Sequence, residues 1–389
     1  MDRLLQIGVQ VERSRAHGRT LLEGLAEFAR AQYDWRLTLL EPAQLTDPAV
    51  CARFDGFIVR VMDDATARAL MPMRRRVVDV YGRLVRSPFT TLRLDDAAIA
   101  QMAAAFYADR LYLSVASCGF PGLRFSDARD AAFAAEAAER GIPCRVFDLK
   151  SAARIKDTFF RAEQTGEVPD AAALGAWLTT LPKPTAVFCC NDIRAFQLMK
   201  VCEAMEIRVP QDVAVLGVDN DTLLCTFTAT PISSIDTNPH ALGRRAGELL
   251  AELLADPSTD ARTILHPPAR VVERASTDAF QFSIPWLSDA LVFIRRNLAK
   301  GINAADVVRR LGYSHTTVNN AFRYELGTTV QQEIIRQRLA LACRLLKETS
   351  DSAAEIAGAA GFSNPQYFSK VFTEAFGTTP DVWRRKHLE

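Results

Sequence analysis

Residues 356–383 read IAGAAGFSNPQYFSKVFTEAFGTTPDVW, and this stretch decides the fold of the C-terminal part of the chain. The small apolar residues at 353–360 predict a helix that another helix can approach closely. Gly361 can adopt the left-handed conformation that ends a helix, and Ser363 can cap the following one. That second helix carries a core stripe at helical spacing, made of Tyr367, Phe368, Val371 and Phe372. The pattern predicts a helix-turn-helix.

The same pattern occurs earlier in the chain. Residues 307–332 read VVRRLGYSHTTVNNAFRYELGTTVQQ, in which Gly312 and Ser314 match Gly361 and Ser363. Between the copies, residues 331–348 predict one amphipathic linking helix. An ordinary helical hairpin would explain a single copy, but two matched copies on a connecting helix favour a pair of DNA readers.

The second helix of each copy has a polar face that can read base edges. Amide side chains suit adenine and arginine suits guanine, although part of such a face can instead meet phosphate or water. The predicted DNA-binding residues are His315, Thr316, Asn319, Asn320 and Arg323 in the first copy, and Asn364, Gln366, Ser369, Lys370 and Thr373 in the second.

This region resembles the AraC/XylS family of transcription regulators. The resemblance lies in the Gly-Phe-Ser, Tyr-Phe-Ser-Lys-Val-Phe and Phe-Gly-Thr-Thr-Pro runs and covers roughly residues 285–386. It implies a sequence-specific DNA-binding regulator whose partners are a double-stranded DNA operator, RNA polymerase and a second copy of the chain as a homodimer.

The first 265 or so residues alternate short apolar runs with helical patterns, which predicts an α/β fold with parallel sheets and helices on both faces. Strands are predicted at 4–11, 35–40, 56–61, 77–81, 111–116, 144–148, 186–190 and 214–218. Helices are predicted at 19–30, 96–107, 127–140, 170–181, 192–205 and 239–254. The GxxxxGK[ST], GxGxxG, HExxH and GxSxG motifs are all missing from the sequence, so nucleotide-binding, zinc-protease and serine-hydrolase functions lack their residues.

Four polar residues follow predicted strands or begin predicted helices: Asp95, Arg129, Asn191 and Asp219. Ligands of α/β proteins bind at the carboxyl ends of the strands, where such side chains can converge and pair with hydroxyl groups. Each of them alone is also explained as a helix cap. We predict no catalytic residue, metal site or cofactor.

The pattern of these four residues resembles the LacI/GalR and type I periplasmic-binding-protein fold, in which two lobes enclose an effector cleft. The resemblance implies that all four residues line this cleft and that the lobes are joined near residues 108–110, 231–235 and 264–268. His17 lies in the first loop, and Phe125 or Phe120 is the best candidate to stack on a ligand. We expect no DNA-binding headpiece before the first strand.

The junction between the halves reads HPPARVVERASTD at 266–278. Its β-rich segment at 270–273 predicts an extended, docked strand, since a flexible tether would be rich in Gly and Ser. We predict an effector-binding domain at 1–278 and a DNA-binding domain at 279–389. The latter has helix-turn-helix motifs at about 304–325 and 353–376 and the linking helix at about 331–348. A LacI-like sensor, this junction and a C-terminal reader together resemble the sugar-responsive, sensor-fused branch of the AraC/XylS family, for which xylose is the expected effector.

Charge and cysteine usage agree with this interpretation. Residues 279–389 carry 14 Lys and Arg against 10 Asp and Glu, while the preceding residues carry 33 against 36, so the basic excess falls on the predicted DNA reader. The eight cysteines are scattered without a CxxC pair, which favours buried thiols in the cytoplasm. No apolar run of about 18 residues occurs, so no membrane span is predicted.

The sequence therefore predicts a cytoplasmic, ligand-responsive transcription regulator, an activator of a sugar-catabolic operon with a monosaccharide effector. Two other classes remain as alternatives. A sugar-acting enzyme would need a clustered catalytic set, whereas the five histidines are dispersed. A transport-type sugar receptor would need an export signal and would have no use for the DNA reader.

Overall fold

The computed structural model describes residues 4–388 except 33, 85, 111, 149–166, 257, 279–283 and 285. Two lobes, each built on a six-stranded sheet, are followed by an all-helical region. This architecture confirms the predicted fold class, an α/β region of two mainly parallel sheets followed by an all-helical region. In the part of the chain that the structure describes, no helix is both long and apolar enough to cross a bilayer.

The first lobe has a fully parallel sheet in the order β11-β5-β4-β3-β1-β2. Its strands are β1 (Leu5–Gln10), β2 (Trp35–Leu39), β3 (Gly56–Val59), β4 (Val77–Asp79), β5 (Thr90–Leu94) and β11 (Thr263–His266). Its helices are α1 (Ala16–Gln32), α2 (Pro48–Cys51), α3 (Asp64–Leu70) and α9 (Pro239–Ala255). Helices α1 and α9 pack against each other, and their apolar faces form one core with β1, β3 and β4.

The second lobe has a sheet in the order β12-β10-β9-β8-β6-β7, parallel except for β12 at the edge. Its strands are β6 (Val115–Cys118), β7 (Cys144–Val146), β8 (Thr185–Cys189), β9 (Val213–Val218), β10 (Ser233–Asp236) and β12 (Arg270–Val272). Its helices are α4 (Asp96–Asp109), α5 (Arg124–Glu139), α6 (Ala171–Thr180), α7 (Asp192–Ala204) and α8 (Thr222–Thr226). The sequence missed β5, β10 and β11, whose Thr, Ser and Arg residues interrupt the apolar runs.

The chain crosses between the lobes at places that only partly agree with the prediction. Helix α4 packs its Ile99 and Ala103 against the core of the second lobe, so the first crossing lies between β5 and α4 and not at 108–110. The second crossing follows β10, which ends at Asp236, so it lies just after the predicted 231–235. The third joins β11 to β12 and overlaps the predicted 264–268.

The junction is docked, as its β-rich composition predicts. Strand β12 pairs antiparallel with β10. Beyond it, Arg274 donates to Asn220 Oδ1 (2.7 Å) and Ser276 donates to the Val215 carbonyl (2.6 Å). The predicted domain boundary lies between residues 278 and 279, and residue 279 is outside the described residues.

The helical region contains α10 (Trp286–Asn297), α11 (Ala304–Leu311), α12 (His315–Leu326), α13 (Val330–Glu348), α14 (Ala353–Ala359), α15 (Pro365–Phe376) and α16 (Pro380–Leu388). The linking helix α13 contributes Ile334 to one apolar core with α10–α12. It contributes Ala342 and Leu346 to a second core with α14–α16. Two small cores on one helix fix the two helix-turn-helix units to each other.

The second copy departs from the predicted cap. Ser314 caps α12 by accepting from Thr317 N, but the cap of α15 is Asn364 and not Ser363. The extra residue in the second copy shifts the helix start by one position. Tyr367, predicted in the core stripe, is exposed. The inward positions are taken by Phe368, the next residue of the helix, and by Phe372, about one turn after it.

Candidate functional site: an inter-lobe cleft and two exposed polar helices

A cleft of about 590 Å³ lies between the two lobes, within the size range of small-molecule sites. Loops at the carboxyl ends of β1, β3 and β4 line it from the first lobe. The starts of α4, α5 and α7 and the end of β9 line it from the second. Five of the six predicted ligand residues are among its lining residues: His17, Phe125, Arg129, Asn191 and Asp219.

Asp95 is the exception. Its carboxylate accepts from Ala98 N (3.0 Å) as the cap of α4, and the neighbouring Asp96 lines the cleft instead. Adjacent residues at a helix start point in different directions, and the sequence offers no means of choosing between two consecutive aspartates. The alternative that Asp95 is a cap is therefore correct.

Arg129 connects three elements at the centre of the second-lobe wall. Its Nε donates to Asp96 Oδ1 (2.9 Å) and its Nη1 donates to the Cys190 carbonyl (2.5 Å). The guanidinium also lies over the Phe125 ring, 5.3 Å from the ring centroid. The side chain is buried, so its position is fixed before any ligand arrives.

Asp219 follows β9 directly and has a left-handed backbone conformation with φ 105°. Helix α8 is capped by Asp221 and not by Asp219, so the capping explanation of Asp219 does not hold. Burial raises the pKa of the Asp219 carboxyl, while His17 and Arg129 oppose that rise. A non-glycine residue held at positive φ beside a cleft is typical of functional positions.

His17 and Asn191 complete the predicted set. His17 Nδ1 lies 3.9 Å from Asp219 Oδ1, and burial lowers the pKa of His17. Asn191 caps α7 by accepting from Arg194 N (2.9 Å) and also lines the cleft, so capping and lining coexist in one residue. Phe120, the second predicted stacking residue, is buried beneath Arg194 and is not on the cleft wall.

Sequence reasoning missed most of the cleft's arginines. Arg60 is the clearest case, since it was included in a predicted strand at 56–61. In the structure β3 ends at Val59, so Arg60 is the first residue beyond its carboxyl end and faces the cleft. The position of a charged residue at the end of an otherwise apolar run was the available signal.

The predicted DNA-reading residues lie on α12 and α15. Eight of the ten are exposed: His315, Thr316, Asn320, Arg323, Asn364, Gln366, Lys370 and Thr373. Ser369 is half-buried, and its carbonyl accepts from Thr373 Oγ1 (2.8 Å).

Two of the predicted readers have structural roles. Asn319 is half-buried, accepts from Val330 N (3.3 Å) and donates to the His315 carbonyl (3.1 Å). Asn364 accepts from the backbone amides of Gln366 and Tyr367 (2.8 and 3.2 Å). Of the amide side chains proposed as readers, those of Asn320 and Gln366 belong to exposed residues and form no helix cap.

Comparison with known proteins agrees with both halves of the chain. Residues 108–277 match the family described as periplasmic binding protein-like domain, and residues 307–386 match a helix-turn-helix domain family. The xylose operon regulatory protein of Escherichia coli K12 is 30% identical over 97% of this chain and 96% of its own. The protein of the same name from Haemophilus influenzae is 32% identical over 54% of each chain.

Solved structures give the same result. The xylose-binding transcription activator xylR has a TM-score of 0.60 and 27% identity, covering 98% of each chain. A LacI family regulator from Enterococcus faecium with bound ribose has a TM-score of 0.54 and 20% identity, covering 71% of this chain and 100% of its own, which supports the sensor fold. This chain therefore belongs to the family of the xylose operon regulatory protein, DNA-binding transcription regulators that join a periplasmic-binding-protein-like domain to an AraC-type helix-turn-helix domain.

Proposed function

We propose that this protein activates a sugar-catabolic operon when a monosaccharide binds between its sensor lobes. The observation that carries the proposal is the convergence of Arg129, Asn191 and Asp219 on one cleft, in a chain that also carries two DNA readers. A carboxylate, an amide and a guanidinium supply the donors and acceptors that sugar hydroxyls need. The similar activator xylR is xylose-binding, so xylose is the first sugar to test.

The route from the cleft to the DNA readers is short. Helices α4 and α5 both start at the cleft, and Asp96, the first residue of α4, forms an ion pair with Arg129 in the second turn of α5. Their far ends line a second cavity of about 560 Å³ against the linking helix α13. There the turn at Gly141 approaches Ala340 of α13, whose Cβ lies 3.8 Å from the position of a Cβ on Gly141. Closure of the lobes on a ligand can therefore move the element that holds both readers.

The remaining partners follow from this function. We propose a cytoplasmic homodimer, in which each subunit presents α12 and α15 to its operator half-site and helps RNA polymerase to engage the promoter. An electrophoretic mobility and reporter assay with and without pentoses and hexoses tests the proposal. A change in operator affinity or transcription with one sugar supports it, and unchanged DNA binding together with unchanged transcription for every sugar would refute it.

We expect Asp219→Asn to weaken binding of the true effector by about 1.5–3 kcal/mol, the scale of a charge-assisted hydrogen bond, or roughly 10- to 150-fold in Kd. The substitution keeps size but removes the charge and one acceptor, and α8 retains its Asp221 cap. Isothermal titration calorimetry measures the loss. The matched control is Asp47→Asn, which keeps the cap of α2 and lies outside the cleft lining, and it should bind as wild type. If the Asp219 variant binds the effector as tightly as wild type, Asp219 is not part of the site.

The two readers should contact DNA about 10 base pairs apart within each subunit. Helix α13 has 19 residues and is about 28 Å long, close to the rise of one turn of DNA, so α12 and α15 can enter successive major grooves on one face. Hydroxyl-radical footprinting tests this spacing. A single contacted segment of about 5 base pairs would contradict it.

A further inference from the structure

The cleft contains more positive charge than a neutral sugar needs. Six arginines line it, against four carboxylates: Arg15, Arg60, Arg83, Arg93, Arg124 and Arg129, with Glu12, Asp96, Asp127 and Asp219. Burial lowers the pKa of His17, and Arg60 and Arg129 lower it further against the opposing Asp219, so His17 adds no positive charge at neutral pH. The excess of guanidinium groups is a property of the cleft as a whole.

Part of this charge is compensated inside the protein. Asp96 accepts from both Arg129 (2.9 Å) and Arg93 (3.3 Å), so one carboxylate serves two guanidinium groups. Asp127 and Glu12 accept from the backbone amides of Gly122 (3.0 Å) and Ser14 (2.6 Å). Three of the four carboxylates of the cleft are therefore already engaged in holding its framework, and Asp219 is the fourth.

Three of the arginines have no direct ion pair, although Glu12 and Asp79 act on Arg60, and Asp63 on Arg83, at longer range. Among the described residues, no ion pair within 4.0 Å involves Arg60, Arg83 or Arg124. Arg60 lies over the Tyr81 ring, with its guanidinium carbon 4.4 Å from the centroid. Arg124 donates to two neutral carbonyls, those of Gly82 (2.8 Å) and Leu84 (3.1 Å).

These contacts bring positive charge from both lobes together. Gly82 and Leu84 flank Arg83, so Arg124 of the second lobe reaches the segment that carries Arg83 of the first. Arg60, just beyond β3, lines the same cleft and lies over Tyr81, two residues before Arg83. Like charges at close range repel each other unless an anion lies between them, and the planar fork of arginine matches a carboxylate or phosphate in two-point contact.

We propose that the effector is an anionic monosaccharide, which presents a carboxylate or phosphate to Arg60, Arg83 and Arg124 and its hydroxyls to Asp219 and Asn191. This inference rests on the proposed function, because it concerns the same cleft and the same regulatory role. It distinguishes the cleft from a site for a neutral pentose, in which hydroxyl groups alone would be matched by donors and acceptors. The anion would join the two lobes across the cleft, since it contacts arginines from both.

The test compares neutral sugars with their acidic counterparts on the full-length protein. Thermal shift and calorimetry are run with D-xylose and D-xylonate, D-glucose, D-glucuronate and D-glucose 6-phosphate, with inorganic phosphate and acetate as anion controls. At least one acidic sugar should raise the melting temperature and bind tenfold or more tightly than its neutral parent, with an affinity that falls as salt rises. The carboxylate and phosphate compounds separate the two sources of charge.

Variants locate the anion. Arg60→Gln and, separately, Arg83→Gln should each weaken binding of the acidic sugar tenfold or more. Arg53→Gln, which changes an exposed arginine outside the cleft lining, should leave binding unchanged. Two separate cleft variants keep the test valid if one of them fails to fold.

The outcomes separate this inference from the proposed function. Tighter binding of a neutral sugar than of every acidic one, or equal effects of inorganic phosphate and the acidic sugars, would overturn the anionic effector and leave a sugar-responsive regulator intact. If no monosaccharide of either kind changes operator binding or transcription, the proposed function itself fails.

Discussion

Alanine at both Asn320 and Gln366 should weaken binding to the selected operator by about 2–6 kcal/mol, since each good amide–adenine pair contributes about 1–3 kcal/mol of discrimination. These two residues occupy the exposed faces of α12 and α15. Neither side chain forms a helix cap, so their replacement leaves the helix ends intact. The two sites lie on separate helix-turn-helix units, so their effects should add.

The control for this variant is DNA of unrelated sequence. Base contacts carry the sequence information, whereas phosphate contacts from basic side chains bind any duplex with a steep salt dependence. The double variant should therefore bind non-specific DNA as wild type does, with the same salt slope and an unchanged melting temperature. If wild type and variant bind the operator with equal affinity, Asn320 and Gln366 do not read bases.

Gly243→Ala should destabilise the sensor by about 3 kcal/mol or more, the upper range for overpacking a core. A Cβ at Gly243 in α9 would lie 1.9 Å from the Leu21 carbonyl oxygen of α1. The reciprocal contact is as tight, because a Cβ at Gly24 in α1 would lie 2.0 Å from the His240 carbonyl oxygen. Backbone atoms cannot rotate away as side chains do, so the two helices would have to separate.

Denaturant unfolding measures this loss, with Gly175→Ala as the matched control. Gly175 also lies in a sensor helix, α6, but its Cβ would meet the sulfur of Met205 at 2.9 Å, which is the mobile end of a partly exposed side chain. The gain in helix propensity of about 1 kcal/mol offsets that contact, so stability should change little. Effector binding should fall with Gly243→Ala, since α1 carries His17 and α9 carries Leu242 on the cleft wall. Wild-type unfolding of the Gly243 variant would contradict the close helix packing.

Much of the DNA-reading domain could be predicted because its information is local. Gly312 and Gly361 both adopt the predicted left-handed conformation, with φ 74° and 85°. Periodicity placed α12, α13 and α15 within a few residues of their observed bounds. The errors at Ser363 and Tyr367 place the helix cap and the core stripe one residue too early. The second copy has one extra residue before α15, and periodicity alone does not fix a helix start to within one residue.

The effector cleft was less predictable because its residues come from both lobes. Asp219 and Asn191 could be found since each follows an apolar strand. Arg60 could have been found by the same signal, since it follows the apolar run of β3. Arg83 and Arg124 could not, because ordinary surface arginines occur in the same sequence contexts. The convergence of the three arginines on one cleft depends on distances between separate elements, which the sequence does not give.

The sequence by itself determined the order of domains, the paired helix-turn-helix motifs and the parallel α/β sensor, because these depend on periodicity, turn residues and repeats within short windows. The tertiary structure alone decided that Asp96 and not Asp95 faces the cleft, that α1 and α9 touch backbone to backbone, and that the cleft is rich in arginine. The physical reason is that hydrophobic pattern specifies which face of an element is buried, whereas the direction and distance between side chains from separate elements follow from how the lobes pack.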